Sequence, residues 1–162
     1  MEIIKTIVVD RSADDAWHII ANEFDQAYKW MSFVHHSHKV EDGDLPNGAP
    51  MAGRVCEFSD KPNGLQAVEK ILSYSAEKKQ FDFDVVPVNA PRPFPVRKNI
   101  VTMKVKPLGE NQAEVSWTSR VELTAFGYLL YPFLRFGLSK QFGQVLVDLQ
   151  DYAKTAPAIK AA

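Results

Sequence analysis

Glu69 is the side chain in this sequence whose type and position best suit acid/base chemistry. It alternates with Ala67 and Ile71 along a predicted strand, so the three residues share one strand face. If that face lines a cavity, the carboxyl is partly desolvated and its pKa rises, and it can then serve as acid, base or hydrogen-bond partner for a ligand hydroxyl or water. The alternative is a charge at the rim, paired with Lys70 or Arg54.

Metal and nucleophile chemistry have weaker candidates. His36 and His38 would project to one face of a strand, but no acidic or histidine partner at suitable spacing completes a metal site, so a solvated connector before the second strand is the simpler interpretation. Cys56 has no evident activating base and is expected to be a small buried hydrophobe. A Gly-x-Ser-x-Gly elbow and a phosphate-binding glycine loop are both missing. We predict no metal site and no cofactor.

Length and composition indicate one soluble domain. The chain has 162 residues, 46% of them apolar, with 19 basic and 20 acidic side chains. A net charge of −1 gives no general affinity for nucleic acid. The single cysteine excludes an internal disulfide, and the longest apolar run, 123–134, is interrupted and too short to span a bilayer. We expect a cytoplasmic protein with one domain over 1–156 and a tail over 157–162.

The elements that would position these side chains follow a simple order. A first strand at 3–9 precedes two short helices at 13–22 and 24–30, with Ser12 as the N-cap of the first. Six more strands are predicted at 38–41, 54–59, 65–74, 80–86, 99–107 and 113–123. The proline-rich segment 87–95 is expected to be an extended loop.

The strands alternate apolar and polar residues, which predicts a sheet with one covered face. From Pro132 onward, apolar residues recur at spacings of three and four and predict an amphipathic helix of about six turns. A single helix lying on a curled sheet is not expected to fill the concave space beneath it. A cavity between the sheet and this helix is therefore predicted.

Short motifs along nearly the whole chain resemble the helix-grip superfamily of START-like lipid carriers, Bet v 1 proteins and bacterial polyketide-cyclase-like proteins. They are the Ser12–Trp17 opening helix, Trp30, the glycine-led strand beginning at Gly53, the glutamate-bearing strand around Glu69, and the late strand with Trp117. The resemblance implies an α+β helix-grip fold. In that fold, a curved antiparallel sheet of about seven strands wraps around a long C-terminal helix, and two short helices follow the first strand.

Two loops are similar to the gate and latch that frame the cavity mouth in ligand-sensing members. They are the segments 61–65 and 90–98. This chain lacks the Ser-Gly-Leu-Pro run of the gate, and Cys56 stands where many relatives have an arginine that suits a carboxylate ligand. The resemblance therefore gives little support to a hormone-receptor role and favours a more apolar ligand.

We predict that the protein binds or transports a hydrophobic small molecule, lipid-like or aromatic, between the sheet and the C-terminal helix. Glu69, Tyr28 and Ser119 are candidates to orient the ligand. An enzyme of the cyclase or dehydratase kind, with Glu69 moving a proton, is the alternative, and an interaction module like the Hsp90-activator branch is a third. The predicted ligand-binding residues are Trp30, Cys56, Phe58, Glu69, Ile71, Phe81, Phe83, Met103, Trp117, Ser119, Leu134, Leu138 and Phe142.

The segment 126–133 is more apolar and aromatic than the start of a helix requires. It includes Phe126, Tyr128 and Phe133. Burial under the first loop is the simplest expectation. The alternative is an exposed segment that acts as a lid, or that contacts a membrane or a partner protein.

Overall fold

The computed structural model describes residues 1–159 and contains one seven-stranded antiparallel sheet. The strands are β1 (Glu2–Val9), β2 (His36–Lys39), β3 (Gly53–Glu57), β4 (Gln66–Ser75), β5 (Gln80–Val88), β6 (Val96–Gly109) and β7 (Gln112–Leu123). The helices are α1 (Ala13–Trp17), a π-helical turn (His18–Asn22), a 3₁₀ helix (Phe24–Lys29), α2 (Ala125–Leu129) and α3 (Tyr131–Thr155). The predicted α+β helix-grip fold is confirmed.

Six strands of the sheet form a meander, and the first strand is added at one edge. Its order is β1-β7-β6-β5-β4-β3-β2, so consecutive strands pair from β2 to β7 and β1 joins the far side by pairing with β7. Strands β1 and β2 are the edges. Within residues 1–159, no helix is both long and apolar enough to cross a bilayer.

The first predicted helix begins at the predicted residue, but it is not α-helical over its whole length. Ser12 caps it as predicted, since its Oγ accepts a hydrogen bond from the Asp15 backbone N–H at 3.1 Å. The α-helix ends at Trp17 and continues as a π-helical turn in which Ile19, Ile20 and Ala21 are all buried.

The second strand begins earlier than predicted. His36 and His38 were expected in a solvated connector, but β2 starts at His36 and pairs with β3. Ser37 sets this register: its side chain is buried, and its hydroxyl donates to the Asp25 carbonyl at 2.6 Å. His36 and His38 lie on the exposed face of this edge strand.

The proline-rich segment is only partly a loop. Strand β5 continues through Pro87 to Val88, with Pro87 opposite Ala67 of β4. The pairing of β5 with β6 ends at Val85. Beyond Val85, one edge of β5 is free, so a residue without a backbone N–H breaks no ladder there.

Helix α3 packs on the sheet unevenly. Its C-terminal half buries Val145, Leu146 and Leu149, whereas Leu134 and Leu138 in its N-terminal half are only partly buried. At its C-terminal end, the Arg11 side chain donates to the carbonyls of Ala153 and Ala156, and the Ile159 N–H donates to Asp15 at 2.8 Å. Residues 160–162 of the predicted tail lie outside the described residues.

Candidate ligand-binding cavity

A cavity lies between the inner face of the sheet and the N-terminal half of α3. It has two adjoining compartments of about 200 and 140 Å³. We name them the loop-side and the core-side compartment. Both are lined by Phe58, Ala67, Val85, Asn99 and Phe142. The predicted cavity is therefore present, and five shared residues join its two parts.

The loop-side compartment has an apolar wall. Gln66 and Asn99 are its two polar residues, and the others are Phe58, Leu65, Ala67, Val85, Pro87, Phe94, Val96, Val121, Leu138 and Phe142. Leu65 belongs to the predicted gate segment, and Phe94 and Val96 belong to the predicted latch. The two segments lie close together, because the side-chain amide of Asn89, the residue before the predicted latch, donates to the Gly64 carbonyl of the gate segment at 3.3 Å. Both segments therefore lie at the edge of the cavity.

The core-side compartment carries the charged residues. Besides the shared residues, its wall includes Met31, Phe33, Val34, Arg54, Glu69, Trp117, Gln141 and Val145. Trp117 closes one side by stacking on Phe142, with ring centroids 5.7 Å apart. The two charges lie on neighbouring strands of the inner face, since Arg54 of β3 is the register partner of Glu69 of β4.

Arg54 and Glu69 form a buried ion pair. The Arg54 Nε donates to Glu69 Oε2 at 2.7 Å, and the Arg54 Nη1 donates to the Phe24 carbonyl at 2.7 Å. The guanidinium carbon lies 3.9 Å from the centroid of the Phe24 ring, a cation–π contact. Glu69 thus faces inward, as the pocket interpretation predicted, with the Arg54 partner that the rim interpretation named.

The environment of Glu69 changes its proton affinity. Burial raises the pKa of Glu69 above its ordinary value, while the Arg54 guanidinium and the Cys56 thiol lower it less. Burial also raises the pKa of Cys56 to about 12, so this thiol stays neutral. Cys56 therefore has no thiolate for nucleophilic chemistry near neutral pH, which agrees with its predicted role as a buried hydrophobe.

A second polar group lies on the same sheet face, two strands from Glu69, since Val85 of β5 is the register partner of both Glu69 and Asn99. The Trp117 indole N–H donates to Ser119 Oγ at 2.7 Å, and the Asn99 side-chain amide donates to the same oxygen at 3.1 Å. Asn99 Oδ1 is buried and has no hydrogen-bond partner in the described structure. The hydroxyl of Ser119 thereby holds both Trp117 and Asn99, two residues of the cavity wall.

The predicted ligand-binding residues divide into two groups. Phe58, Glu69, Trp117, Leu138 and Phe142 line the cavity. The others lie outside its wall: Trp30, Cys56, Ile71, Phe81, Phe83, Met103, Ser119 and Leu134. Phe81, Phe83 and Met103 are fully enclosed in the hydrophobic core, and Ser119 acts through the hydrogen bonds described above. Tyr28 is 44% exposed and packs against His36 on the outside of the protein.

Sequence reasoning missed Arg54 and Asn99 as wall residues. Asn99 alternates in phase with Val101 and Met103, so the pattern contained the signal for an inward side chain. Arg54 is in phase with Cys56, but a charged residue is not expected to be buried without a partner. Arg54 was paired with Glu69 only in the rim interpretation, and the register of β3 on β4 places the pair on the buried face.

The arrangement is suited to holding an apolar molecule. Glu69 and Arg54 are the only titratable side chains in the wall of either compartment within residues 1–159, and they bind each other. In the same part of the chain, no cluster of three or more His, Cys, Asp or Glu side chains could hold a metal ion. A polar depression of about 250 Å³ beside Asp60 and Lys61 lies outside the cavity and offers an apolar ligand little surface.

Comparisons with known structures support the fold. The ZhuI aromatase/cyclase from Streptomyces sp. R1128 superposes with a TM-score of 0.73 at 10% identity, covering 95% of this chain and 93% of that one. A START superfamily protein from Mycobacterium smegmatis gives a TM-score of 0.72 at 13% identity, covering 94% and 97%. Ara h 8.0201 gives 0.71 at 8% identity, covering 96% and 99%. These similarities show a shared fold.

The sequence comparisons identify the family. A search of curated proteins finds no match to this sequence. Residues 2–154 match the family described as polyketide cyclase / dehydrase and lipid transport. That match covers the sheet, the cavity wall and nearly all of α3. The chain therefore belongs to the polyketide cyclase / dehydrase and lipid transport family.

Proposed function

We propose that this protein binds and carries a hydrophobic small molecule, lipid-like or aromatic, in the cavity between the sheet and α3. The apolar wall of the loop-side compartment is the observation that carries this proposal. Burial of apolar ligand surface contributes about 25 cal/mol per Å². An apolar cavity of about 150 Å³ is large enough for benzene, so the two adjoining compartments suit an aromatic or short aliphatic molecule.

The family match supports the proposal, since its description includes lipid transport. The START superfamily protein and the aromatase/cyclase share the same fold. The gate segment lacks the Ser-Gly-Leu-Pro run, and Cys56 stands where many relatives have an arginine. Both departures favour a ligand held mainly by apolar contact. The buried Arg54–Glu69 pair then forms the polar end of the core-side compartment.

A cavity-filling substitution tests the proposal. Ala67 is buried and lines both compartments, so Ala67→Leu places three more carbon atoms in the empty space. Ala76→Leu makes the same chemical change at an exposed turn and is the control. The probe is N-phenyl-1-naphthylamine, an uncharged apolar fluorophore.

We expect saturable binding of one probe molecule by the wild type and by Ala76→Leu. Ala67→Leu should bind about tenfold more weakly, which corresponds to about 1.4 kcal/mol. Circular dichroism establishes that each variant is folded. The proposal fails if the wild type takes up no probe, or if Ala67→Leu binds it as tightly as the wild type does.

A cyclase or dehydratase reaction is the second candidate, because Glu69 presents a carboxyl in the wall of the core-side compartment. In this case Glu69 moves a proton and the cavity holds a reactive carbonyl chain. The Arg54 ion pair opposes this role, since it occupies one carboxyl oxygen. Glu69→Gln distinguishes the two: it abolishes turnover of an aromatic polyketide precursor if Glu69 is the proton carrier, and leaves ligand binding in place if the protein is a carrier.

A further inference from the structure

Four large apolar side chains are exposed to solvent at the end of α2 and the start of α3, and we call them the aromatic patch. Tyr128 is 66% exposed, and Leu129, Phe133 and Phe136 are 76–79% exposed. This exposure overturns the expectation that the segment 126–133 is buried under the first loop. Gly127 is the residue that packs inward: a Cβ at this position would meet the Pro95 carbonyl. Its neighbours Tyr128 and Leu129 are left outside.

The part of the patch on α3 follows one helical face. Phe133, Phe136 and Lys140 follow one another at spacings of three and four. Leu129 is the last residue of α2 and is separated from α3 by the cap residue Leu130. Lys140 is exposed, so the apolar stripe ends in a cation. Apolar residues on one face with Lys or Arg at its border are typical of helices that lie in the interface of a bilayer.

Basic residues outnumber acidic ones in the sequence around the patch. No acidic residue occurs between Glu122 and Asp148, whereas Arg135 and Lys140 lie in that stretch. The neighbouring β5–β6 connection also has no acidic residue between Asp84 and Glu110. Glu2 of β1 is an acidic residue beside Arg135, whose side chain donates to the Glu2 carbonyl at 3.3 Å.

The two acid-free segments are in direct contact. The Thr124 backbone N–H donates to the Pro95 carbonyl at 3.0 Å, and the Thr124 hydroxyl donates to the Phe94 carbonyl at 2.9 Å. Arg92 and Arg97, both exposed, flank this contact along the chain. The aromatic patch therefore lies next to a basic loop.

We propose that the aromatic patch docks the protein on a lipid bilayer with anionic headgroups. Tyr128, Leu129, Phe133 and Phe136 enter the interfacial region, and the basic residues beside them contact the headgroups. A second copy of this chain is a poorer occupant, because a two-fold interface would place each basic surface against its own copy. The patch also adjoins the cavity, since Leu138 on the next turn of α3 and Phe94 in the loop line it.

Vesicle co-sedimentation tests this proposal without any bound ligand. The vesicles are of phosphatidylcholine alone, or of phosphatidylcholine and phosphatidylglycerol in equal parts. The protein variants are Phe133→Ser/Phe136→Ser and, as control, Leu72→Ser/Leu108→Ser, which removes two apolar side chains about half exposed elsewhere on the sheet. All four positions are exposed, and circular dichroism establishes the fold.

We expect the wild type and the control to bind the anionic vesicles, and the patch variant to bind about tenfold more weakly. Binding should weaken as salt is raised and should be lower for phosphatidylcholine alone. The proposal is overturned if the wild type does not bind anionic vesicles, or if the patch variant binds them equally well. It is also overturned if the wild type is a dimer that the patch substitutions separate, with no vesicle binding.

The outcome is separable from that of the proposed function. The patch variant retains every residue of the cavity wall, so its uptake of N-phenyl-1-naphthylamine should equal that of the wild type. Failure of vesicle binding with normal probe uptake rejects docking alone. Failure of probe uptake with normal vesicle binding rejects the cavity proposal alone.

Discussion

The side chains of Arg54 and Glu69 are joined by a 2.7 Å hydrogen bond between Nε and Oε2, at a point where both are almost fully removed from water. Removal of one member of such a pair leaves an uncompensated buried charge and costs about 3–5 kcal/mol, whereas replacement of both by apolar residues is often neutral. We therefore expect Glu69→Leu to lower the free energy of unfolding by about 3 kcal/mol, measured by urea denaturation.

The double variant Arg54→Met/Glu69→Leu completes this test. It should recover most of the stability that Glu69→Leu loses, because no charge remains in the core-side compartment. If the double variant is as unstable as Glu69→Leu, or if Glu69→Leu alone is without effect, the loss of stability does not come from an unpaired buried charge on Arg54.

The thiol of Cys56 should be unreactive in the folded protein. Burial raises its pKa to about 12, so at pH 8 almost none of it is the reactive thiolate. We expect iodoacetamide at pH 8 to leave the native chain unlabelled and to alkylate it fully in urea, as measured by intact mass. Rapid labelling of the native protein at pH 8 would show an accessible, activated thiol instead.

Ser119 should matter more for stability than its size indicates. Its hydroxyl accepts from both the Trp117 indole and the Asn99 amide, and Ser119→Ala leaves two buried donors without a partner. Each such loss costs about 1–3 kcal/mol, so a decrease of at least about 2 kcal/mol in the free energy of unfolding is expected. Ser116→Ala, on the other face of β7, is the control and should cost less than about 0.5 kcal/mol. Equal losses for the two variants would contradict the described network.

Asp148 should make the stability of the protein depend on pH in the acid range. Partial burial raises its pKa, but hydrogen bonds from Ser32 and Gln144 outweigh this and hold the pKa below its ordinary value. A depressed pKa in the folded state stabilises the protein above the unfolded value of about 3.9, and this contribution is lost as the pH falls through the folded value.

The matching measurement compares Asp148→Asn with the wild type at several pH values. Asp148→Asn should be less stable than the wild type at pH 7, and the difference should shrink below about pH 4. Asp151→Asn removes a carboxylate of α3 that, within residues 1–159, is bonded only to Lys154 on the same helix, and it should cost less at pH 7. If the stability difference between Asp148→Asn and the wild type stays constant down to pH 3, the lowered pKa of Asp148 is contradicted.

The sequence was sufficient to predict the order of the strands and of the long C-terminal helix and the side of the sheet that is covered, but not the short helix α2. Phe81 and Phe83 alternate with Asp82 and Asp84, and both aromatic side chains are fully buried as predicted. The prediction that Pro87 lies in a loop was wrong, because a proline is excluded from a strand only where both edges of that strand are paired. That condition depends on where β6 stops pairing with β5, and no local pattern records it.

The cavity wall was harder to predict than the cavity itself. The alternation along each strand identifies the side chains that point inward. It does not distinguish those in the hydrophobic core from those in the cavity wall, so Phe83 and Trp117 looked equivalent. Packing decides between them: Phe83 has Phe24 against it at a centroid distance of 5.0 Å, whereas Trp117 stacks on Phe142 of α3 beside the cavity. Arg54 was missed because its burial depends on a partner on the next strand.

An NMR titration of the ¹⁵N-labelled protein with N-phenyl-1-naphthylamine tests the central claim most directly, because it reports where an apolar molecule binds. The account predicts saturable shifts concentrated at Ala67, Asn99 and Phe142, three of the five residues common to both compartments, together with the Trp117 indole N–H. Shifts confined to Tyr128, Leu129, Phe133 and Phe136, or no saturable shifts at all, would contradict it.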